Sequence, residues 1–307
     1  FDMAAISCYS ISPDKNSGWI GGIFMTNEDR KALELFAVTV REDIVRSTTA
    51  AGSGHPGGSL SAADYLAYLY EKEMRVDPKN PRDPNRDRFV LSKGHAAPAL
   101  YSVLARKGFF PVEDLIRLRK IDSHLQGHPN MNATPGVDMS TGSLGQGISA
   151  AVGMAKGAKV LKIDANVYCL NGDGEITEGE VWEAMMFAAH YQLDNLCVAV
   201  DVNGLQIDGK TADVMNTEPL DKKFEAFGAR VMKIDGHDFD ELERAFKFFH
   251  ENAGSGQPTV ILMATVKGKG VSFMENAVGW HGKAAKPAEC EQALAELETA
   301  RRKILEA

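Results

Sequence analysis

The stretch Val167-Tyr168-Cys169-Leu170-Asn171-Gly172-Asp173-Gly174 decides the fold, read together with Leu196-Cys197-Val198-Ala199-Val200-Asp201-Val202-Asn203-Gly204-Leu205. Each opens with an apolar run of strand length and closes on an oxygen-bearing side chain beside glycine. Between them, residues Thr177 to Tyr191 read as a helix. A strand–helix–strand unit of this kind predicts two parallel neighbours. Their carboxyl ends then lie side by side, where open α/β sheets bind ligands. Asp173 and the Asn203 side-chain oxygen would share one hard cation, and the glycines would let a diphosphate approach the backbone. The pairing suits a magnesium–diphosphate cofactor.

Working outward, the same alternation of apolar runs and helical periods continues. Glu28 to Thr49 has helical spacing, with Leu33, Phe36, Ala37, Val40 and Ile44 on one side, and Thr26 or Asn27 is placed to cap it. Leu60 to Glu73 reads as a second helix after the turn Ala51-Gly52-Ser53-Gly54-His55-Pro56-Gly57-Gly58. Phe89-Val90-Leu91 is a short buried strand, followed by a helix over Ala96 to Lys107. Asp122 to Gly145 is a long loop of the kind that is functional or disordered. A helix follows to Ile163, then strands near Arg230–Ile234 and Thr259–Thr265 with a helix at Phe239–His250 between them, and a charged last helix from Pro287 to Leu305. Strands separated by helices predict an α/β fold, a parallel sheet flanked by helices.

Composition narrows the function classes. The chain has 307 residues, 44% of them hydrophobic, and a net charge of -8. That balance supports a real core and argues against a nucleic-acid-binding surface, which needs a basic face. A magnesium ion offsets local charge, so an acidic chain can still take a diphosphate. No run approaches the roughly 20 apolar residues of a membrane span. Cys8, Cys169, Cys197 and Cys290 show no paired metal-ligand spacing, and two of them lie in strand-like runs as buried thiols, so a reducing cytoplasm fits. Residues 1–24 lack the basic start and cleavage site of a signal peptide. They are expected to be a leader or expression remnant, with a docking arm as the alternative, and residues 25–307 to form the folded domain.

Four histidines adjoin glycine in loop-like stretches: Gly54-His55-Pro56, Gly94-His95, Gly127-His128-Pro129 and His281-Gly282. Glycine beside each permits a tight turn that presents an imidazole to a cavity, for hydrogen bonding to phosphate or for proton transfer. Any one alone reads as structural; four together with Gly172-Asp173-Gly174 do not.

At this point the sequence resembles transketolases, enzymes that use thiamine diphosphate, from about Met25 to Gly282. The resemblance rests on Ser53-Gly54-His55-Pro56-Gly57, Asp87-Arg88-Phe89-Val90-Leu91-Ser92-Lys93-Gly94-His95, Gly127-His128-Pro129 and Thr141-Gly142-Ser143-Leu144-Gly145-Gln146-Gly147. It rests equally on Gly172-Asp173-Gly174, Ile207-Asp208-Gly209 and His281-Gly282. It implies the thiamine diphosphate-binding fold. It implies Asp173 and Asn203 as magnesium side-chain ligands, with Leu205 lending a carbonyl. His95, Gly172, Gly174 and His281 match diphosphate contacts, and Gly142, Ser143 and Leu144 the backbone lining the cofactor. His55, His128 and His281 match imidazoles facing the substrate. Glu178 and Glu183 match acids beside a subunit interface that couples paired cofactors, though acids near a helix N-terminus also offset its dipole. Asp208 reads as a turn residue.

The resemblance further implies transfer of a two-carbon ketol unit from a ketose (phosphate) donor to an aldose (phosphate) acceptor. Transketolases in one chain are about twice this length, and their second domain brings the glutamate that activates the cofactor. The chain is therefore expected to be the N-terminal subunit of a split transketolase, completed by a C-terminal, pyrimidine-binding subunit in a heterotetramer. Three alternatives share parts of the pattern: a synthase of the deoxyxylulose-phosphate type, the α subunit of a 2-oxoacid dehydrogenase, and a non-catalytic cofactor-binding subunit.

Overall fold

Side chains along each inner strand alternate between two separate hydrophobic cores, and this places the sheet between two helical layers. In the computed structural model, which describes residues 25–307, the strands are β1 (Arg88–Leu91), β2 (Val167–Gly172), β3 (Leu196–Val202), β4 (Arg230–Asp235) and β5 (Thr259–Ala264). All pairings are parallel, in the order β1-β2-β3-β5-β4. Tyr168, Leu170, Cys197, Ala199, Ile261 and Met263 point into one core; Cys169, Val198, Val200, Val260 and Leu262 point into the other. Period two on strands buried on both faces produces this division.

The helices are α1 (Asn27–Ala51), α2 (Pro56–Leu60), α3 (Ala63–Tyr68), α4 (Ala97–Arg106), α5 (Gln146–Leu161), α6 (Gly179–His190), α7 (Thr211–Val214), α8 (Leu220–Ala226), α9 (Phe239–His250) and α10 (Pro287–Glu306). The first core is covered by α1 to α4, α9 and α10, the second by α5, α6 and α8. Thr26 caps α1 in a capping box with Asp29, as its position predicts. Cys169 and Cys197 are buried free thiols, also as expected. The expectation for residues 1–24 lies outside the described residues.

Two expectations about local structure change. Leu60 to Glu73 is not one helix: α2 ends at Leu60, α3 begins at Ala63, and Leu69–Glu73 is a wider π turn closed by Met74 N–H donating to Leu69 O at 2.8 Å. The break frees Ser61, whose hydroxyl donates to the Asp201 carboxylate at 2.6 Å. Helices α7 and α8 go unrecognised in the sequence because they are short. The loop over Asp122–Gly145 contains neither helix nor strand, as read.

Candidate cofactor site

The carboxyl ends of β1, β2, β3 and β5 converge on one cleft. Gly172 pairs with Asp201, so the residues just past β2 and β3 are neighbours. Asp173 is 3% exposed. One of its oxygens accepts from Gly174 N–H at 2.8 Å; the other accepts across the strand gap from Gly204 N–H at 2.6 Å. Burial first, and the charge of Asp201 second, push its carboxyl up to about 6. Asn203 Oδ1 accepts from Leu205 N–H at 3.1 Å, and a bridge between Leu205 and Lys210 closes this turn. Among the described residues no three His, Cys, Asp or Glu side chains form a metal cage. The donor set here is a carboxylate, an amide oxygen and a carbonyl, all hard oxygen ligands.

The four imidazoles singled out in the sequence gather together, joined to these oxygens by a lysine that reaches both Leu205 O and His281. Ring centroids lie 5.5 Å apart for His55–His95, 5.9 Å for His55–His128, 5.4 Å for His55–His281 and 5.2 Å for His95–His281. The loop motifs make that packing possible. A β-carbon at Gly57 would stand 2.9 Å from Trp280 O, and one at Gly58 would stand 3.1 Å from His95 Nε2. Gly142 packs on the His128 ring and on Gly94, which ties the long loop to the end of β1. Ser143 and Leu144 are exposed at the rim. Glu178, at the N-cap of α6, and Glu183, on that helix, are exposed, and Glu178 packs against Gly145.

The cluster is electropositive. Burial, then Arg119, holds the His55 imidazole down to about 4; burial, then Lys267, holds His281 down to about 4. Burial and Lys93 keep His95 well below the usual histidine range, and burial and Arg119 lower His128. These rings are therefore neutral near pH 7, and they face a space that would welcome an anion.

Three residues of this site are not apparent from the sequence. Lys267, just past β5, is 2% exposed; its ammonium donates to Leu205 O at 3.2 Å and lies 2.9 Å from His281 Nδ1. Glu175 is a buried carboxylate that accepts from Ser92 Oγ at 2.5 Å and from Gly145 and Gly172 N–H at 2.9 Å each, joining three motif loops. Arg119 sits beside His55. His237, a fifth histidine next to a glycine, lies outside the cluster, 2.6 Å from Asp64.

A stability test follows from the depressed imidazoles. A base whose folded value lies below its unfolded 6.5 is neutral in the fold and protonates first in the unfolded chain. Its contribution is complete above about 6.5 and declines as pH falls toward about 4. Asp173, raised to about 6, works in the opposite sense over part of that window. The difference between wild type and His55→Asn therefore carries the effect: the variant's melting temperature should fall less between those two pH values. Parallel curves would show that His55 titrates normally.

Comparisons with known proteins agree with this geometry. The family profile described as "Transketolase, thiamine diphosphate binding domain" matches residues 34–303. The chain is 44% identical over 272 residues to the 6-deoxy-6-sulfo-D-fructose transketolase subunit SqwG of Clostridium sp. (strain MSTE9), covering 89% of this chain and 98% of that one. It is 42% identical to an apulose-4-phosphate transketolase subunit of Actinobacillus succinogenes, covering 84% and 92%. The crystal structure of transketolase from Campylobacter jejuni superposes with a TM-score of 0.81 at 33% identity, over 89% of this chain and 45% of that one. Human transketolase is 44% identical over 42% of its length, so the chain spans less than half of such single-chain relatives. The parallel sheet with its helical layers is the thiamine diphosphate-binding fold.

Proposed function

The chain belongs to the transketolase family, and from that premise we propose that it is the diphosphate-binding, N-terminal subunit of a two-chain transketolase. The enzyme transfers a two-carbon ketol unit from a ketose donor to an aldose acceptor. The observation that carries this reading is the convergence of His55, His95, His128 and His281, joined to the Asp173–Asn203–Leu205 oxygens by the Lys267 ammonium, which reaches both His281 Nδ1 and Leu205 O. Residues 25–307 act as one diphosphate-binding unit.

The residues present fit magnesium and a diphosphate. A single carboxylate with two neutral oxygens is too small a cage for a cation alone, but it matches magnesium shared with phosphate oxygens. Asp173, Asn203 Oδ1 and the Leu205 carbonyl would hold the ion. The Lys267 ammonium resting on Leu205 O supports a need for positive charge there. Gln206 Nε2 is buried without a partner, and Gln206 packs against Gly174. His95, His281, Gly172 and Gly174 would hold the diphosphate, and Gly142, Ser143 and Leu144 would line the remainder. Once bound, thiamine diphosphate supplies the electron sink for carbon–carbon cleavage. His55, His128 and His281 would then recognise the donor hydroxyls, and proton transfer would fall within this set of imidazoles.

Assembly rests on two features. The subunit relatives are covered over 98% and 92% of their lengths, so a pyrimidine-binding partner chain completes the site. Met186, Phe187 and Tyr191 are exposed along and just after α6 beside Glu183, which supports pairing of two such units there into a heterotetramer, with Glu178 and Glu183 coupling the cofactors. No helix among the described residues is long and apolar enough to cross a membrane. The buried free thiols support a cytoplasmic location. Relatives named for sulfofructose and apulose phosphate suggest a donor ketose with an anionic far end, read by the partner chain.

The test is a ketol-transfer assay with thiamine diphosphate and magnesium, using this chain alone and with its C-terminal partner. Activity only in the mixture supports the reading; none with any ketose donor, despite cofactor binding, favours a non-catalytic subunit. His128→Ala should lower kcat by about a hundredfold or more while cofactor affinity changes less than about twofold. Equal losses in both, by calorimetry and initial rates, would make His128 structural.

A further inference from the structure

Arg119 takes no part in the assignments above, yet several features of the chain serve to seat it. Its backbone is left-handed at φ 59°, an uncommon conformation outside glycine. Its N–H donates to Leu125 O at 2.9 Å, closing a small loop. The side chain runs back over Gly127, where a β-carbon would lie 2.8 Å from Cζ and 2.9 Å from Nε. Glycine at 127 is thus what admits the guanidinium. Nη1 donates to Ser53 Oγ at 3.2 Å, and Nη2 lies 3.5 Å from both Gly127 O and His55 Nδ1.

A guanidinium has five N–H donors, no acceptor, and no accessible neutral form. The ring nitrogen facing it must present a lone pair, because a proton there would set donor against donor. From this geometry we infer that Arg119 is a positioning residue that fixes His55 as the neutral tautomer carrying its proton on Nε2. That nitrogen points to the other side of the ring, 3.6 Å from a β-carbon placed at Gly282, toward the turn that carries His281.

The usual arrangement at a proton-accepting histidine is the reverse. A carboxylate or carbonyl takes the Nδ1 proton and leaves Nε2 as the base. Around His55 the charged and titratable groups among the described residues are Arg119, His128, Lys267 and the rings of His95 and His281, with no carboxylate. His55 therefore enters the cleft as a hydrogen-bond donor to a substrate oxygen, and proton acceptance falls to another group. This inference deepens the transketolase reading and rests on it for the identity of the substrate, though not for the tautomer.

The test is a long-range proton–nitrogen correlation spectrum of the labelled full-length chain, with the His55 signals assigned by comparison with His55→Asn. The expected pattern is protonated Nε2 and bare Nδ1, held from about pH 8 down to about pH 5. In Arg119→Gln the Nδ1-protonated form should appear, and the His55 midpoint should rise by about one pH unit or more. Arg119→Lys should restore much of the wild-type pattern, and the exposed ring of His190 on α6 should not change in either variant. An Nδ1-protonated His55 in the wild type overturns the inference and needs no variant to fold. So does an unchanged midpoint in a natively folded Arg119→Gln. A locked tautomer in an enzyme that shows no ketol transfer would sustain the Arg119 assignment and sink the function proposed above.

Discussion

Replacing Asp173 with alanine should give a folded chain whose assembled enzyme binds thiamine diphosphate about a hundredfold more weakly or worse, with no response to magnesium. A hundredfold corresponds to about 2.7 kcal/mol. The reason is charge balance. Asp173 is the carboxylate of the set that would hold the cation, and it is held up at about 6 by burial and by Asp201. A divalent ion would relieve that strain. Two backbone donors complicate the variant, because Gly174 and Gly204 N–H lose their acceptor. Each unsatisfied donor costs about 1–3 kcal/mol where water cannot reach it. Asp173→Asn is the matched control: it keeps an acceptor oxygen and removes the charge. Calorimetric titration with and without magnesium decides the matter. If Asp173→Asn binds as tightly as wild type with the same magnesium dependence, the ion is held elsewhere.

The sequence discloses those parts of the site whose residues lie beside the strand ends they depend on. Asp173 follows β2 directly, and Asn203 follows β3 directly, so the apolar runs announce both. The glycine-flanked histidines are legible for a similar reason, because tight turns leave a compositional mark. Lys267 leaves none. In Val266-Lys267-Gly268-Lys269 it reads as an ordinary surface lysine, and only the packing of its stem against Gly57 places its ammonium at Leu205 O. Glu175 reads as an acid near a helix start, while its partners Ser92 and Gly145 come from two other loops. Arg119 depends on Gly127 in the same way. Long-range partners of charged residues are what periodicity cannot carry. The break in the helix after Leu60 belongs with them, since Ser61 is drawn to Asp201, far along the chain.

That attachment to Asp201 points to the second large effect. Lys93, at the end of β1, and Asp201, in β3, form an ion pair with side chains 1% and 0% exposed. Lys93 Nζ also donates to Gly58 O at 2.9 Å, and Asp201 also accepts from Ser61 Oγ and Thr265 Oγ1. The pair therefore ties the SGHPG turn, β1, β3 and the end of β5 together beneath the imidazoles. Asp201→Ala leaves an ammonium buried without its counter-charge, and the expected loss is about 3–5 kcal/mol. Against a total of about 5–15 kcal/mol for a domain, that is a large share. Lys93→Met should cost a similar amount for the mirror reason, an uncompensated buried carboxylate. The double variant Lys93→Met with Asp201→Ala should cost clearly less than the sum, because neither charge remains to be desolvated. Burial works to raise the Asp201 carboxyl, but the charge and hydrogen bond of Lys93 together with the Ser61 and Thr265 hydroxyls outweigh it, and the net direction is down. Its contribution is therefore present above 3.8 and is lost as pH falls below that value. Urea denaturation of the four proteins at neutral pH measures the cycle. Additive losses would mean that the two side chains act independently and that the hydroxyls of Ser61 and Thr265, rather than Lys93, keep Asp201 in place.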